Sequence, residues 1–244
     1  MSAPPPRGGA GSAGSAAGAS GSAGAAPITP VISDDYVADI AIEVHEDVNT
    51  ILVVTWQQLF AAERTWLEFS FEGNTVMKSR EKPGSVGAHR DIVLGVPGTT
   101  DVTVHVMSRQ AGNIYKSTPR MGRTGAVPND MPLPTVLAYD AARASPERWM
   151  FGAVEDSGDD VAMQLNRYLT YQAWLYIMDR QGRIVWYFAE PATNATSSFQ
   201  RIARDGEYIW IERRCYSGCG GGFAESVLKM TLDWEFVQEI QVPN

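Results

Sequence analysis

Four groups of residues in this chain could do chemistry by type and spacing. The first is histidine, of which there are three: His45, His89 and His105. A metal site would need two or three of them to converge beside carboxylates. His105 stands between Val104 and Val106, so it reads as a solvent-facing strand residue. His45 and His89 read as strand ends. Structural or solvated roles are the expectation for all three, and no metal is expected. The second group is Cys215 and Cys219, which bracket Tyr216-Ser-Gly218 ahead of Gly220-Gly-Gly222. Spacing i,i+4 across a glycine-rich loop allows either a local disulfide or two free thiols. With no further ligand, the pair is poor for zinc. The third is the acidic trio Asp156, Asp159 and Asp160, which could hold calcium but reads first as a solvated loop. The fourth is Arg213 and Arg214, which could serve an anion channel or simply be solvated at a strand end.

Two further patterns carry less. The glycines around Cys219 lack the Lys-Ser/Thr and the helix start of a phosphate cradle. Asn194-Ala-Thr196 is a glycosylation sequon with meaning only in a eukaryotic secretory host. The stripe Trp174, Tyr176, Trp186, Tyr187 and Trp210 reads as packing between sheets rather than a ligand platform.

The elements that position these residues fall into stretches of different composition. Residues 1–27 are almost wholly Gly, Ala, Ser and Pro, and cannot bury enough surface to offset their ordering entropy. They are expected to form a disordered tether. No apolar leader follows Met1, so an export signal is expected upstream of it.

Residues 28–120 have period two. Tyr36–Val44, Thr50–Trp56, Thr65–Phe71, Asp91–Val96, Asp101–Val106 and Asn113–Tyr115 read as short strands. Turn residues separate them at spacings near ten, the pattern of a β-sandwich with Trp56 in its core. A proline-rich joint, 121–134, follows. From 135 to 244 longer hairpins take over, joined by turns such as Asp179-Arg-Gln-Gly182, Arg204-Asp-Gly206 and Asp233-Trp234.

Repeated hairpins at roughly forty-residue intervals read as β-propeller blades. About 110 residues remain for them, which allows roughly two blades and no closed ring. The expected fold is therefore all-β: a sandwich, then the first one or two blades of a truncated propeller. The chain is expected to be the N-terminal part of a longer protein.

The net charge is −8, from 20 Lys+Arg against 28 Asp+Glu. That excludes a general nucleic-acid binder, which needs a basic surface. No apolar run reaches the length of a transmembrane helix.

Two resemblances add to this. Val53-Val-Thr-Trp56 and Leu94-Gly-Val-Pro-Gly-Thr99 resemble a fibronectin type III domain, although Asp101-Val102 stands where that family usually has a tyrosine. Met178-Asp-Arg-Gln-Gly-Arg-Ile-Val-Trp-Tyr187 resembles the first-blade signature of arylsulfotransferases. Ala203-Arg-Asp-Gly-Glu-Tyr-Ile-Trp210 and Met230-Thr-Leu-Asp-Trp-Glu-Phe-Val237 match that family's later turns in order. The resemblance covers about Leu133 to Asn244.

It implies sulfuryl transfer from a phenolic sulfate ester to a phenol through a sulfo-histidine, with no other cofactor. It also implies an extracytoplasmic location: periplasmic, secreted, or a cell-surface lipoprotein. There the Cys215–Cys219 disulfide is the expected state. Yet no histidine lies between Pro119 and Asn244. No catalytic residue carries over, and the chain alone is expected to be inactive. The alternative is a non-catalytic extracellular binding or adhesion module. A fold by itself does not choose between them.

Overall fold

The structure is a computed structural model and describes residues 28–73, 76–140, 142–143, 148–155, 173–189, 195–202, 207–215 and 223–241. The tether, the acidic trio at 156–160, the sequon residue Asn194 and Cys219 lie outside these residues. Cys215 closes a strand whose partner cysteine is thus not described. Among the described residues there is no helix, and the architecture is all-β in several sheets.

Ten strands precede Thr124. They are β1 (Val31–Ile32), β2 (Val37–Val44), β3 (Leu52–Gln58), β4 (Ala62–Ser70), β5 (Met77–Lys78), β6 (Lys82–Gly84), β7 (Gly87–Val93), β8 (Asp101–Gln110), β9 (Asn113–Lys116) and β10 (Arg120–Arg123). One sheet has the order β2-β3-β7. The other runs β1-β9-β8-β4-β5, with β10 beside β8 and β6 beside β4. Only β1 and β9 pair in parallel within it.

Alternation along the strands explains why these sheets stack. In β3, Leu52, Val54, Trp56 and Gln58 are buried, while Val53, Thr55 and Gln57 are not. In β8, Val102, Val104 and Val106 turn inward, with Thr103 and His105 half-buried between them. Inward residues of both sheets, among them Val54, Trp56, Leu67, Phe69, Val104 and Val106, form one apolar core. This is a two-sheet antiparallel sandwich, with β2-β3-β7 facing β5-β4-β8-β9. Its strand order gives it a fibronectin type III-like character.

The short strands β1, β5, β6 and β10 have no counterpart in the sequence reading. Two to four residues at a sheet edge do not display a period. Strand β10 also carries the sheet as far as Arg123, into the segment read as a joint. No tyrosine occupies the position after the Pro97-Gly-Thr99 turn. Thr124 ties that corner instead: its hydroxyl donates to the Pro97 carbonyl at 2.6 Å and accepts from the Thr100 amide at 2.9 Å. A tyrosine bond across the sheets does exist at Tyr36, whose buried hydroxyl donates to the Val106 carbonyl at 2.9 Å.

Seven strands follow: β11 (Met150–Glu155), β12 (Ala173–Met178), β13 (Ile184–Ala189), β14 (Ala195–Ile202), β15 (Tyr208–Cys215), β16 (Phe223–Thr231) and β17 (Phe236–Gln241). They form two antiparallel meanders, β11-β12-β13 and β14-β15-β16-β17. Neither sheet closes on itself, and among the described residues there is no ring.

The meanders are fused to the sandwich by a second apolar core. Val48 and Ile51 from the β2–β3 turn and Met131 from the proline-rich segment pack with Trp174, Leu175, Trp186, Ile209 and Leu232. The proline-rich segment therefore contributes to packing as well as connecting. Along β13, Ile184 to Phe188 are all buried. A strand covered on both faces loses the alternation of a half-exposed one, which is why Ile184-Val-Trp-Tyr-Phe188 is continuously apolar.

Candidate binding site at the junction

The turns that resemble family motifs are structural joints. In Asp179-Arg-Gln-Gly182, one Asp179 carboxylate oxygen accepts the amides of Gln181 and Arg183, each at 2.9 Å. Its other oxygen accepts the Arg183 Nε at 2.7 Å. Gly182 sits at φ 80°, where a side chain is disfavoured, and its amide donates back to the Asp179 carbonyl. Asp179 thus closes the β12–β13 hairpin with its own carboxylate.

Leu232-Asp-Trp234, the turn between β16 and β17, reaches over to the neighbouring sheet. The Trp186 indole donates to the Leu232 carbonyl at 2.6 Å. The Trp234 indole donates to the Tyr187 carbonyl at 3.1 Å. Trp234 adopts φ 65°, a conformation costly for a bulky residue. Edge-on ring contacts with Tyr187 and Phe188, at 6.4 and 4.8 Å, hold it there.

Beside this joint lies a cleft of about 480 Å³ between the sandwich and the β14–β17 sheet. The sandwich wall is basic, with Arg80, Lys82 and Arg90. The opposite wall is acidic, with Glu207, Asp233 and Glu235. Two ion pairs cross it, Arg90 to Asp233 at 2.6 Å and Arg80 to Glu207. Lys82 pairs on its own side with buried Asp91 at 2.8 Å. Asp91 also accepts from the Ser79 hydroxyl at 2.6 Å. The floor is apolar, including Phe69, Leu94 and Leu232. Clefts of this kind at unit boundaries are common ligand sites. Three further bonds tie the units: one from the Asn49 amide to the Tyr187 hydroxyl at 2.8 Å, and two from Arg183 to Glu72 at 2.7 and 2.9 Å.

Asp233 has a lowered pKa. Burial pushes it up, but the Thr231 hydroxyl and the Arg90 guanidinium outweigh burial and hold the carboxyl below its ordinary value. A depressed folded-state pKa stabilises the protein above the unfolded value and loses that contribution as pH falls through the folded one. Asp233→Asn is therefore expected to flatten the loss of stability on acidification. Urea midpoints measured from about pH 6 down to about pH 3 check this. Parallel curves for parent and variant would show that Asp233 does not contribute.

The histidines remain apart. His45 is buried, and its Nδ1 accepts the amides of Asp47 and Val48, each at 3.2 Å. His89 stands inside β7 rather than at a strand end, stacks on Trp56 at 5.3 Å and contacts the Ser85 carbonyl at 2.6 Å. His105 is half-buried and contacts the Ser117 carbonyl at 2.8 Å. Among the described residues no group of three or more His, Cys, Asp or Glu could hold a metal.

The aromatic stripe divides. Trp174, Trp186 and Tyr187 are core residues. Trp210 is half-buried, opposite Lys229, whose ammonium lies 5.4 Å from its ring and 3.8 Å from that of Tyr208. Arg213 and Arg214 lie in β15, opposite Ser226 and Ala224 of β16. None of the cleft's charged residues is a site residue in the sequence reading, where Glu207, Asp233 and Glu235 enter only as parts of turn motifs. Between Lys78 and Arg90 the only signal is a density of cations, which reads as a solvated surface.

No protein-family model matches this chain, and no curated protein matches it. Among solved structures it is similar to the crystal structure of chicken CNTN1 FN1-FN3 domains. The identity is 9%, the TM-score 0.31, and the match covers 83% of this chain and 86% of that one. By its own strand order and packing, the chain is an all-β protein of several sheets with a fibronectin type III-like part. No helix among the described residues is long and apolar enough to cross a membrane.

Proposed function

We propose that this chain is the architectural part of an arylsulfotransferase-like protein and transfers no sulfuryl group by itself. The observation that carries the reading is the bond from Trp186 to Leu232. It joins two of the runs on which the family resemblance rests, and it makes them the seam between successive meanders. Meanders seamed in this way are what the opening blades of a propeller require. A sulfo-histidine needs an accessible imidazole to take up the group. The sequence has no histidine after His105, and none of its three lines the cleft. In this reading the phenolic sulfate ester, the phenol and the carrier histidine meet in structure outside this chain. An extracytoplasmic location belongs to the same reading.

A second reading, a non-catalytic binding module, is favoured by β17. All six of its residues are exposed, Phe236 by 64%, and among the described residues it pairs only with β16. An exposed strand edge with apolar side chains is a surface for added β-structure.

Incubating the purified chain with 4-nitrophenyl sulfate and phenol tests the absence of chemistry. Release of 4-nitrophenolate is expected at the rate of the protein-free control. Release that scales with chain concentration overturns the proposal.

A further inference from the structure

The charges of the cleft between the sandwich and the β14–β17 sheet cancel. Among the described residues that line it, the cations Lys78, Arg80, Lys82 and Arg90 are matched by as many carboxylates. No net field therefore selects an ion of either sign. The pairs already formed point the same way. Arg90 reaches Asp233 at 2.6 Å and Arg80 reaches Glu207, each through one Nη. An ionic or zwitterionic guest would have to displace these pairs to use the walls. A hydroxyl group can join them instead. A guanidinium carries more N–H groups, and a carboxylate more acceptor sites, than one such bond uses, and a hydroxyl both donates and accepts. On the acidic wall the Glu235 carboxylate is exposed and, among the described residues, makes no ion pair.

Two apolar surfaces complete the cleft. One is the floor, with Phe69, Leu94 and Leu232. The other is the ring of Tyr208, half-buried on the lining. The Lys229 ammonium stands 3.8 Å from the centre of that ring but does not line the cleft. It therefore lies against the face turned away, which fixes the ring and leaves the other face to the cleft. Donors on one wall, acceptors on the other and an aromatic face beside them suit a ring with hydroxyls around its rim and C–H groups on its faces. A pyranose is such a ring.

We propose that this cleft binds a neutral pyranoside, with Tyr208 as its stacking platform, Arg80 and Arg90 as donors and Glu235 as an acceptor. The site does not depend on the sulfuryl-transfer reading, since its test follows binding of an unreactive glycoside and not release of 4-nitrophenolate.

Saturation-transfer NMR on the full chain tests it with the methyl pyranosides of glucose, galactose, mannose and N-acetylglucosamine. At least one should bind saturably in the millimolar range. 2-Methoxytetrahydropyran, the same ring without its hydroxyls, should bind at least about tenfold more weakly. Tyr208→Ala should weaken the glycoside about tenfold, while Tyr208→Phe, which keeps the ring, should stay within about threefold of the parent. Unchanged urea midpoints would show that the variants are folded, and the comparison of the two rings needs only the parent chain. Saturation by none of the glycosides, or equal binding of the ring without hydroxyls, overturns the proposal. So does a Tyr208→Ala chain that binds as tightly as the parent, or a Tyr208→Phe chain that binds no better than Tyr208→Ala.

Discussion

Trp186→Ala is expected to destabilise the protein by about 3–5 kcal/mol, the range for removing a buried aromatic from a packed core. The indole is wholly buried at the centre of the core that joins the meanders to the sandwich. It lies 6.5 Å from the ring of Phe151 and donates the 2.6 Å bond to Leu232. Alanine leaves a cavity that two sheets and the proline-rich segment would have to close together. It also leaves the Leu232 carbonyl, in a residue only 6% exposed, without its donor. Trp186→Phe isolates that second loss, which should be about 1–3 kcal/mol. Urea unfolding followed by circular dichroism measures both. A Trp186→Ala chain within about 1 kcal/mol of the parent would refute the view that this residue seams the two sheets.

Trp56→Ala is expected to cost a similar amount, about 3–5 kcal/mol, in the other core. Trp56 is 2% exposed between the two sheets of the sandwich and stacks on His89 with the rings 14° apart. The informative variant is again phenylalanine. The Trp56 indole N–H is buried and has no hydrogen-bond partner among the described residues. Phenylalanine removes a donor that gains nothing here and keeps an aromatic face toward His89. Its cost should therefore stay below about 1.5 kcal/mol, as for a modest shape change. Trp56→Phe should be milder than Trp186→Phe, although both exchange the same side chains at similar burial. The reverse order, in the same urea experiment, would contradict the assignment of the Trp186 bond as a stabilising contact.

The contrast between these two tryptophans also marks how far the sequence could be read. The run Thr50–Trp56 read as a sandwich strand with its large aromatic in the core, and the strand Leu52–Gln58 alternates buried and exposed around Trp56, because alternation is a property of the strand itself. The continuous run Ile184–Phe188 is ambiguous in sequence, since a strand buried on both faces has no polar side to show. Asp179-Arg-Gln-Gly182 was legible as a turn because its bonds are local, from one carboxylate to amides two and four residues on. The propeller expectation rested on hairpins and their spacing. The described residues form two open meanders, so the step from hairpins to blades belongs to the proposal. The proline-rich joint supplies Met131 to a shared core. Prolines mark where a strand cannot pair, but do not say whether the segment is packed against something.

Composition and pattern alone were enough for the all-β class, the strands that carry alternation, the acidic balance and the lack of histidine beyond His105. Each of these is local or additive, and so survives in a list of residues. Only the tertiary structure decided that Arg90 meets Asp233 across 143 positions, that the Asn49 amide finds the Tyr187 hydroxyl, and that Arg148 and Arg183 line one pocket. Those pairings depend on which sheet faces come together. A charged side chain on an exposed face looks the same in sequence whether its partner is water or a carboxylate from another sheet.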